Sequence, residues 1–118
     1  MRVGIDARMF GPKQGGLGRY IEQLITRLTQ TDTKNEYVIF LRKKNWNELK
    51  IADFRFHKVL ADIPWYGWKE QLALSKIIKK EKVNLMHFPH WNVPLFYNDP
   101  FVVTIHDLLL MHYPTREA

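Results

Sequence analysis

The chain has no cysteine, so disulfide staples and thiol chemistry are excluded, and the composition is compatible with a reducing compartment. It also lacks any apolar run approaching the roughly 20 residues that span a bilayer. After Met1-Arg2 the apolar stretch is interrupted at Asp6 and Arg8, so no signal-peptide core is present. Repeats and low-complexity segments are missing too. Acidic residues are outnumbered 12 to 18 by basic ones, giving a net charge of +6 that favours anionic partners without choosing among them. The expected location is cytoplasmic, with peripheral contact at an inner membrane face left open. Hydrophobic residues at 46% and charged residues at 25% are ordinary globular proportions, and 118 residues suffice for one core.

The most informative segment is the opening MRVGIDARMFGPKQGGLGRYIEQLITRL. Val3 and Ile5 alternate with Gly4 and Asp6 as in a short strand. From Leu17 onward, Tyr20, Ile21, Leu24, Ile25 and Leu28 fall at helical offsets. Between them, Gly15, Gly16 and Gly18 remove side chains where the chain turns into the helix. Backbone N–H groups and the helix dipole there favour an anion, and Arg19 adds positive charge. The third glycine of the dinucleotide fingerprint is missing, and no G-K-[ST] follows. A tight strand-to-helix turn without a ligand remains the alternative. Asp6 has two readings as well, the cap of a turn or a catalytic carboxylate.

Farther along, Thr31 to Asn35 is turn material, and Tyr37 to Leu41 is a continuous apolar run that predicts a buried parallel strand. Trp46 to Ile51 suggests a short helical connection. Phe54 to Val59 predicts a third strand, with Phe54, Phe56 and Lys58 on one face. A second helix is expected from Trp65 to Glu81, with Trp65, Trp68, Leu72, Leu74, Ile77 and Ile78 forming its apolar stripe. Asn84 to Phe88 predicts a fourth strand, Pro89 to Pro100 a proline-punctuated loop and Phe101 to Ile105 a fifth strand. Strands alternating with helices imply an α/β, doubly wound parallel sheet whose ligands gather at the carboxyl ends of the strands. Those ends carry the glycine segment, His87 to Trp91, and His106-Asp107. A metal cluster of His87, His90, His106, Asp107 and His112 is not expected, because cysteines and an H-E-x-x-H helix are absent.

RVGIDARMF, GGLGRYIEQLITRL, NLMHFPHWNVP and VVTIHDLLLMHYP, taken together and in this order, resemble the amino-terminal half of GT-B fold retaining glycosyltransferases of family four. The resemblance implies a Rossmann-like sheet forming the incomplete N-terminal half of a GT-B fold. Residues 1–118 would be a partial, acceptor-side domain, without the C-terminal nucleotide-sugar domain and its paired glutamates. It further implies a hexosyltransferase reaction, moving a sugar from a nucleotide-sugar donor to a glycan or lipid-linked acceptor. Gly15, Gly16, Gly18 and Arg19 would face the donor diphosphate. His106 would lie beside the donor sugar, with Asp107 holding the imidazole or lining the acceptor site. His87, His90, Trp91 and Asn92 would be acceptor-side, where a flat aromatic stacks on a sugar ring. No cofactor and no metal are called for, and the fragment alone is expected to be inactive and prone to self-association along its fifth strand.

The competing reading is a Rossmann-like binding module without catalysis, holding an anion or lying on a membrane through the basic amphipathic stretch that includes Lys76, Lys79, Lys80 and Lys82. Nucleic acid is not an expected partner, since no groove-reading or base-stacking motif accompanies the positive charge.

Overall fold

A computed structural model describes residues 1–11, 15–64, 68–90, 93–94 and 97–104. Strand β1 (Arg2–Asp6) leads into helix α1 (Gly15–Thr31), which returns the chain to β2 (Glu36–Leu41). A 3-10 helix (Lys43–Glu48) precedes β3 (Phe56–Leu60), α2 (Trp68–Lys80), β4 (Leu85–Phe88) and β5 (Phe101–Val103). The strands form one parallel sheet in the order β3-β2-β1-β4-β5. This is the doubly wound, Rossmann-like α/β arrangement that the alternation of elements predicts.

Two cores flank the sheet. On one face Ile21 and Ile25 of α1 pack on Ile5, Tyr37, Ile39 and Leu41. On the other, Leu74 and Ile78 of α2 pack on Val38, Phe40, Met86 and Phe88. The alternation along β2 shows why its apolar run is unbroken: Tyr37, Ile39 and Leu41 serve the first core, Val38 and Phe40 the second, and all five are buried. Gly4 of β1 permits the second core to close. A Cβ there would lie 2.6 Å from Met86 Sδ, 3.1 Å from Phe40 Cε2 and 3.2 Å from Val83 Cγ1.

The connections are held by local polar contacts. After α1, the Asp32 carboxylate accepts hydrogen bonds from the Tyr37 hydroxyl, the Lys34 N–H at 2.8 Å and the Asn35 amide at 2.8 Å. These bonds, led by the Tyr37 hydroxyl, hold the Asp32 carboxyl well below the usual carboxylate range. Burial and Asp32 together push the Tyr37 phenol up to about 12. In the 3-10 helix the Asn45 side chain accepts the Arg42 N–H at 2.9 Å. Its amide donates toward the carbonyls of Ala7, Arg8 and Phe10 at 3.0–3.2 Å, fixing the segment that follows β1.

Several boundaries differ from those expected. The third strand begins at Phe56 and not at Phe54, because Asp53 makes a turn first. Its carboxylate accepts the Arg55 N–H at 3.0 Å and its carbonyl the Phe56 N–H at 3.1 Å, leaving Phe54 86% exposed. Phe56 and Lys58 do face inward together. Phe56 stacks on Tyr37 at 4.7 Å, and the Lys58 ammonium sits 4.6 Å from the Trp46 ring centre while capping the Leu49 carbonyl at 3.0 Å. The connecting helix starts three residues earlier than expected, since Asn45 organises it. Helix α2 ends at Lys80, where Glu81 and Lys82 turn back on the Ile78 and Lys79 carbonyls and Lys82 adopts a positive φ of 54°. Trp65 and Ile105 lie outside the described residues.

The apolar stripe of α2 is directed at the sheet: Leu74 and Ile78 are fully buried and Ile77 joins the same core, while Lys76, Lys79, Lys80 and Lys82 are exposed. Those buried residues are therefore not available to enter a membrane surface. Among the described residues no helix is long and apolar enough to cross a membrane.

Candidate functional site

The strand order reverses beside β1. From β1 the chain moves outward to β2 and β3, and from β3 it crosses back over the sheet through α2 to β4 on the other side of β1. The carboxyl ends of β1 and β4 therefore border the switch point, where open parallel sheets leave a crevice for ligands. Each end carries a candidate segment.

At the end of β1 the chain reaches α1 through Gly11, which has a φ of 134°. Helix α1 opens at Gly15, whose φ of 65° is left-handed and accessible to glycine at little cost. The first four N–H groups of an α-helix have no intrahelical acceptor, and here they belong to Gly15, Gly16, Leu17 and Gly18. Gly11, Gly15, Gly16, Gly18, Arg19 and Glu22 line one cavity of about 410 Å³. A Cβ built at Gly16 meets no atom within 4 Å. Packing against the described residues thus gives no reason for a glycine there. Arg19 is exposed in the first turn, and Glu22 brings a negative charge to the same lining.

At the end of β4, His87 and His90 lie on different sides of the sheet. His90 is buried beside Asp6, the last residue of β1, and its Nε2–H donates to Asp6 Oδ2 at 2.9 Å. Arg8 donates to the same carboxylate through Nε and Nη2, both at 2.8 Å, and reaches the Ile63 carbonyl through Nη1 at 3.0 Å. Asp6 is 0% and Arg8 2% exposed. Burial by itself would raise the Asp6 carboxyl. The Arg8 charge and hydrogen bonds, joined by His90, outweigh that effect and hold it well below the usual range. The cluster ties together the segments after β1, β3 and β4. Asp6 also accepts the Arg8 N–H at 3.2 Å, so its turn-capping reading holds.

His87 is half-buried on the α1 side. Its Nε2 lies 2.7 Å from Thr104 Oγ1, and Tyr20 Oη of α1 lies 3.1 Å from the same hydroxyl. The Tyr20 ring meets His87 edge-on at 6.4 Å. Thr104 itself continues the ladder beyond β5, donating its N–H to the Phe88 carbonyl at 3.0 Å.

Of the candidate residues, Gly15, Gly16, Gly18 and Arg19 are brought together at the opening of α1, and His87 and His90 stand at the end of β4. Trp91, Asn92, His106 and Asp107 lie outside the described residues. Sequence reasoning missed Arg8, Tyr20 and Thr104. The D-A-R spacing could have suggested the first, since residues i and i+2 around an Asx turn can share a carboxylate. Nothing local marks Tyr20 and Thr104 as neighbours. Among the described residues no group of three or more His, Asp or Glu side chains is placed to hold a metal ion. Compared with known proteins, the chain matches no protein-family model, no curated protein and no solved structure.

Proposed function

We propose that this chain is the acceptor-side half of a sugar-nucleotide-dependent, retaining glycosyltransferase of GT-B architecture, with its α1 opening facing the donor diphosphate. The observation that carries the reading is Gly16: it opens a helix at the switch point of a parallel sheet, and no described atom requires it to be glycine. The resemblance of the glycine segment, the β4 end and the T-I-H-D-L segment to family-four enzymes supports the same reading.

In the proposed reaction the bond between the sugar's anomeric carbon and the diphosphate oxygen breaks, and its electron pair leaves with the diphosphate. The acceptor hydroxyl oxygen bonds to that carbon on the face just vacated, and its proton passes to the departing diphosphate oxygen. Negative charge grows on the diphosphate as the bond breaks, and backbone N–H groups at the helix opening are suited to stabilise it. The net charge of +6 favours the anionic donor. His106 and Asp107 are proposed beside the donor sugar. The nucleotide's base and ribose belong, in this reading, to a second domain, so this chain alone is expected to show no sugar transfer and at best millimolar nucleotide affinity.

Gly16→Ala tests the reading. Alanine favours a helix over glycine by up to about 1 kcal/mol and has room here, so the variant should melt no lower than the parent. Titrating a nucleoside diphosphate should shift the amide resonances of Gly15 to Arg19 in the parent and markedly less in the variant. Equal responses in the two proteins, or silence of these amides in the parent at high millimolar nucleotide, would overturn the reading.

A further inference from the structure

Strand β3 is one edge of the sheet, and its ladder to β2 fixes which of its backbone groups are left for another strand. The Tyr37 N–H donates to the Arg55 carbonyl at 2.8 Å and the Ala61 N–H to the Leu41 carbonyl at 2.7 Å, so residues 55, 57, 59 and 61 turn their backbone groups toward β2. The N–H and C=O groups of Lys58 and Leu60 therefore point outward, as does the Phe56 carbonyl, and none of them meets a partner among the described residues. Open edges are commonly blunted by an exposed lysine, a proline or a covering element. Strand β3 has no proline, and its one lysine is turned onto the Trp46 ring and the Leu49 carbonyl. Apolar side chains stand exposed at both ends of the edge instead, Phe54 at 86% and Leu60 at 44%. Leu60 lines a cavity of about 260 Å³ together with Trp46, Lys43 and Asn47.

We propose that the β3 edge seats a second copy of this chain, the two β3 strands pairing antiparallel about a two-fold axis at His57. Residues equidistant from His57 then face each other. Phe56 faces Lys58 of the second copy, and the outward Lys58 N–H donates to the Phe56 carbonyl, once in each direction. Phe54, three positions before the axis, meets Leu60, three positions after it, so each exposed ring covers the exposed leucine of its mate and enters the cavity beside Trp46. Asp53, next to that ring, carries a carboxylate toward the Lys43 ammonium of the cavity wall, a complementary charge. Pairing centred one residue later would set Lys58 against Lys58 and Phe54 against Asp62, which opposes like charges and leaves the ring without an apolar partner. A second copy is the occupant because the two ends of this one edge complement each other, and a two-fold axis uses that match twice. The pairing lies on the opposite edge of the sheet from β5 and is independent of the phosphate reading of α1.

The test is sedimentation of the full chain from about 10 μM to about 1 mM, the range that suits a small interface, joined to a disulfide probe of the register. The parent should show a reversible monomer–dimer equilibrium. Phe54→Ser should keep the parent's thermal midpoint, its side chain being exposed, and weaken the dimer by about 100-fold, roughly tenfold for each of the two rings. Leu60→Lys places a charge on the edge and should leave only monomer. If Leu60→Lys also melts lower, Phe54→Ser decides. The chain has no cysteine, so His57→Cys supplies a single thiol. Across the axis the two Cα atoms at this position would lie about 4.5 Å apart, within reach of a disulfide, and air oxidation should link the copies. Val102→Cys, in the middle of β5, should link them far more slowly. A parent that stays monomeric at about 1 mM overturns the proposal. A dimer of unchanged affinity in Phe54→Ser does so too, as does linkage through Val102→Cys and not through His57→Cys.

Discussion

Replacing Asp6 with asparagine removes one charge from a cluster that is almost completely dry, and the structure says how much that should matter. Asp6 is 0% exposed and its carboxylate meets Arg8 twice at 2.8 Å and His90 at 2.9 Å. In the variant, Arg8 keeps the Ile63 and Pro64 carbonyls at 3.0 and 3.3 Å but loses its counter-charge while 2% exposed. Removing one partner of such a buried pair typically costs about 3–5 kcal/mol, mostly through the charge left behind. A domain of 118 residues has roughly 6–18 kcal/mol of stability in total. With a urea dependence of about 2 kcal/mol per molar, the midpoint should fall by about 2 M. Urea unfolding followed by tryptophan fluorescence and circular dichroism at pH 7 measures it. Adding Arg8→Met to the same chain should recover part of the loss, because the orphaned guanidinium is gone. The pH dependence has a definite sign. The folded Asp6 pKa lies below the unfolded value of about 3.9, so the carboxylate's contribution is complete above roughly pH 5 and declines as pH falls through that range. The gap between parent and Asp6→Asn should therefore narrow on acidification. A midpoint within about 0.3 M of the parent at pH 7, less than 1 kcal/mol at that urea dependence, would refute the reasoning. So would a gap that widens toward low pH.

Two other substitutions probe how the sheet and its first loop are held. Gly4→Ala forces a methyl carbon to within 2.6 Å of Met86 Sδ, with Phe40 and Val83 closing the other sides, and should cost about 1–3 kcal/mol. A thermal midpoint indistinguishable from the parent's would show that this core has slack. Asn45→Ala removes the shared donor of the Ala7, Arg8 and Phe10 carbonyls and the acceptor of the Arg42 N–H, worth about 1–3 kcal/mol. It should also speed hydrogen exchange at the Ala7 and Phe10 amides, and unchanged protection there would argue that Asn45 does not hold the loop.

The candidate site divides along the same lines as the fold. The glycines and Arg19 were legible because helix opening is a local event written in neighbouring residues. His87 and His90 were legible as the end of a strand. Their partners were not: His90 finds Asp6 and His87 finds Thr104 only because β4 lies between β1 and β5. Phe54 shows the converse error, where alternation suggested a strand but the side chain of Asp53 made a turn before pairing could begin.

By itself the sequence determined the α/β alternation, the two-faced burial of Tyr37 to Leu41 and the glycine-rich opening of α1, because each depends on periodicity or backbone freedom within a few residues. The packing of the sheet is what gathers Asp6, Arg8 and His90 in one dry cluster and brings Tyr20 and His87 to the hydroxyl of Thr104. Those contacts join residues up to 84 positions apart, and no local pattern records which strand ends a parallel sheet will set side by side.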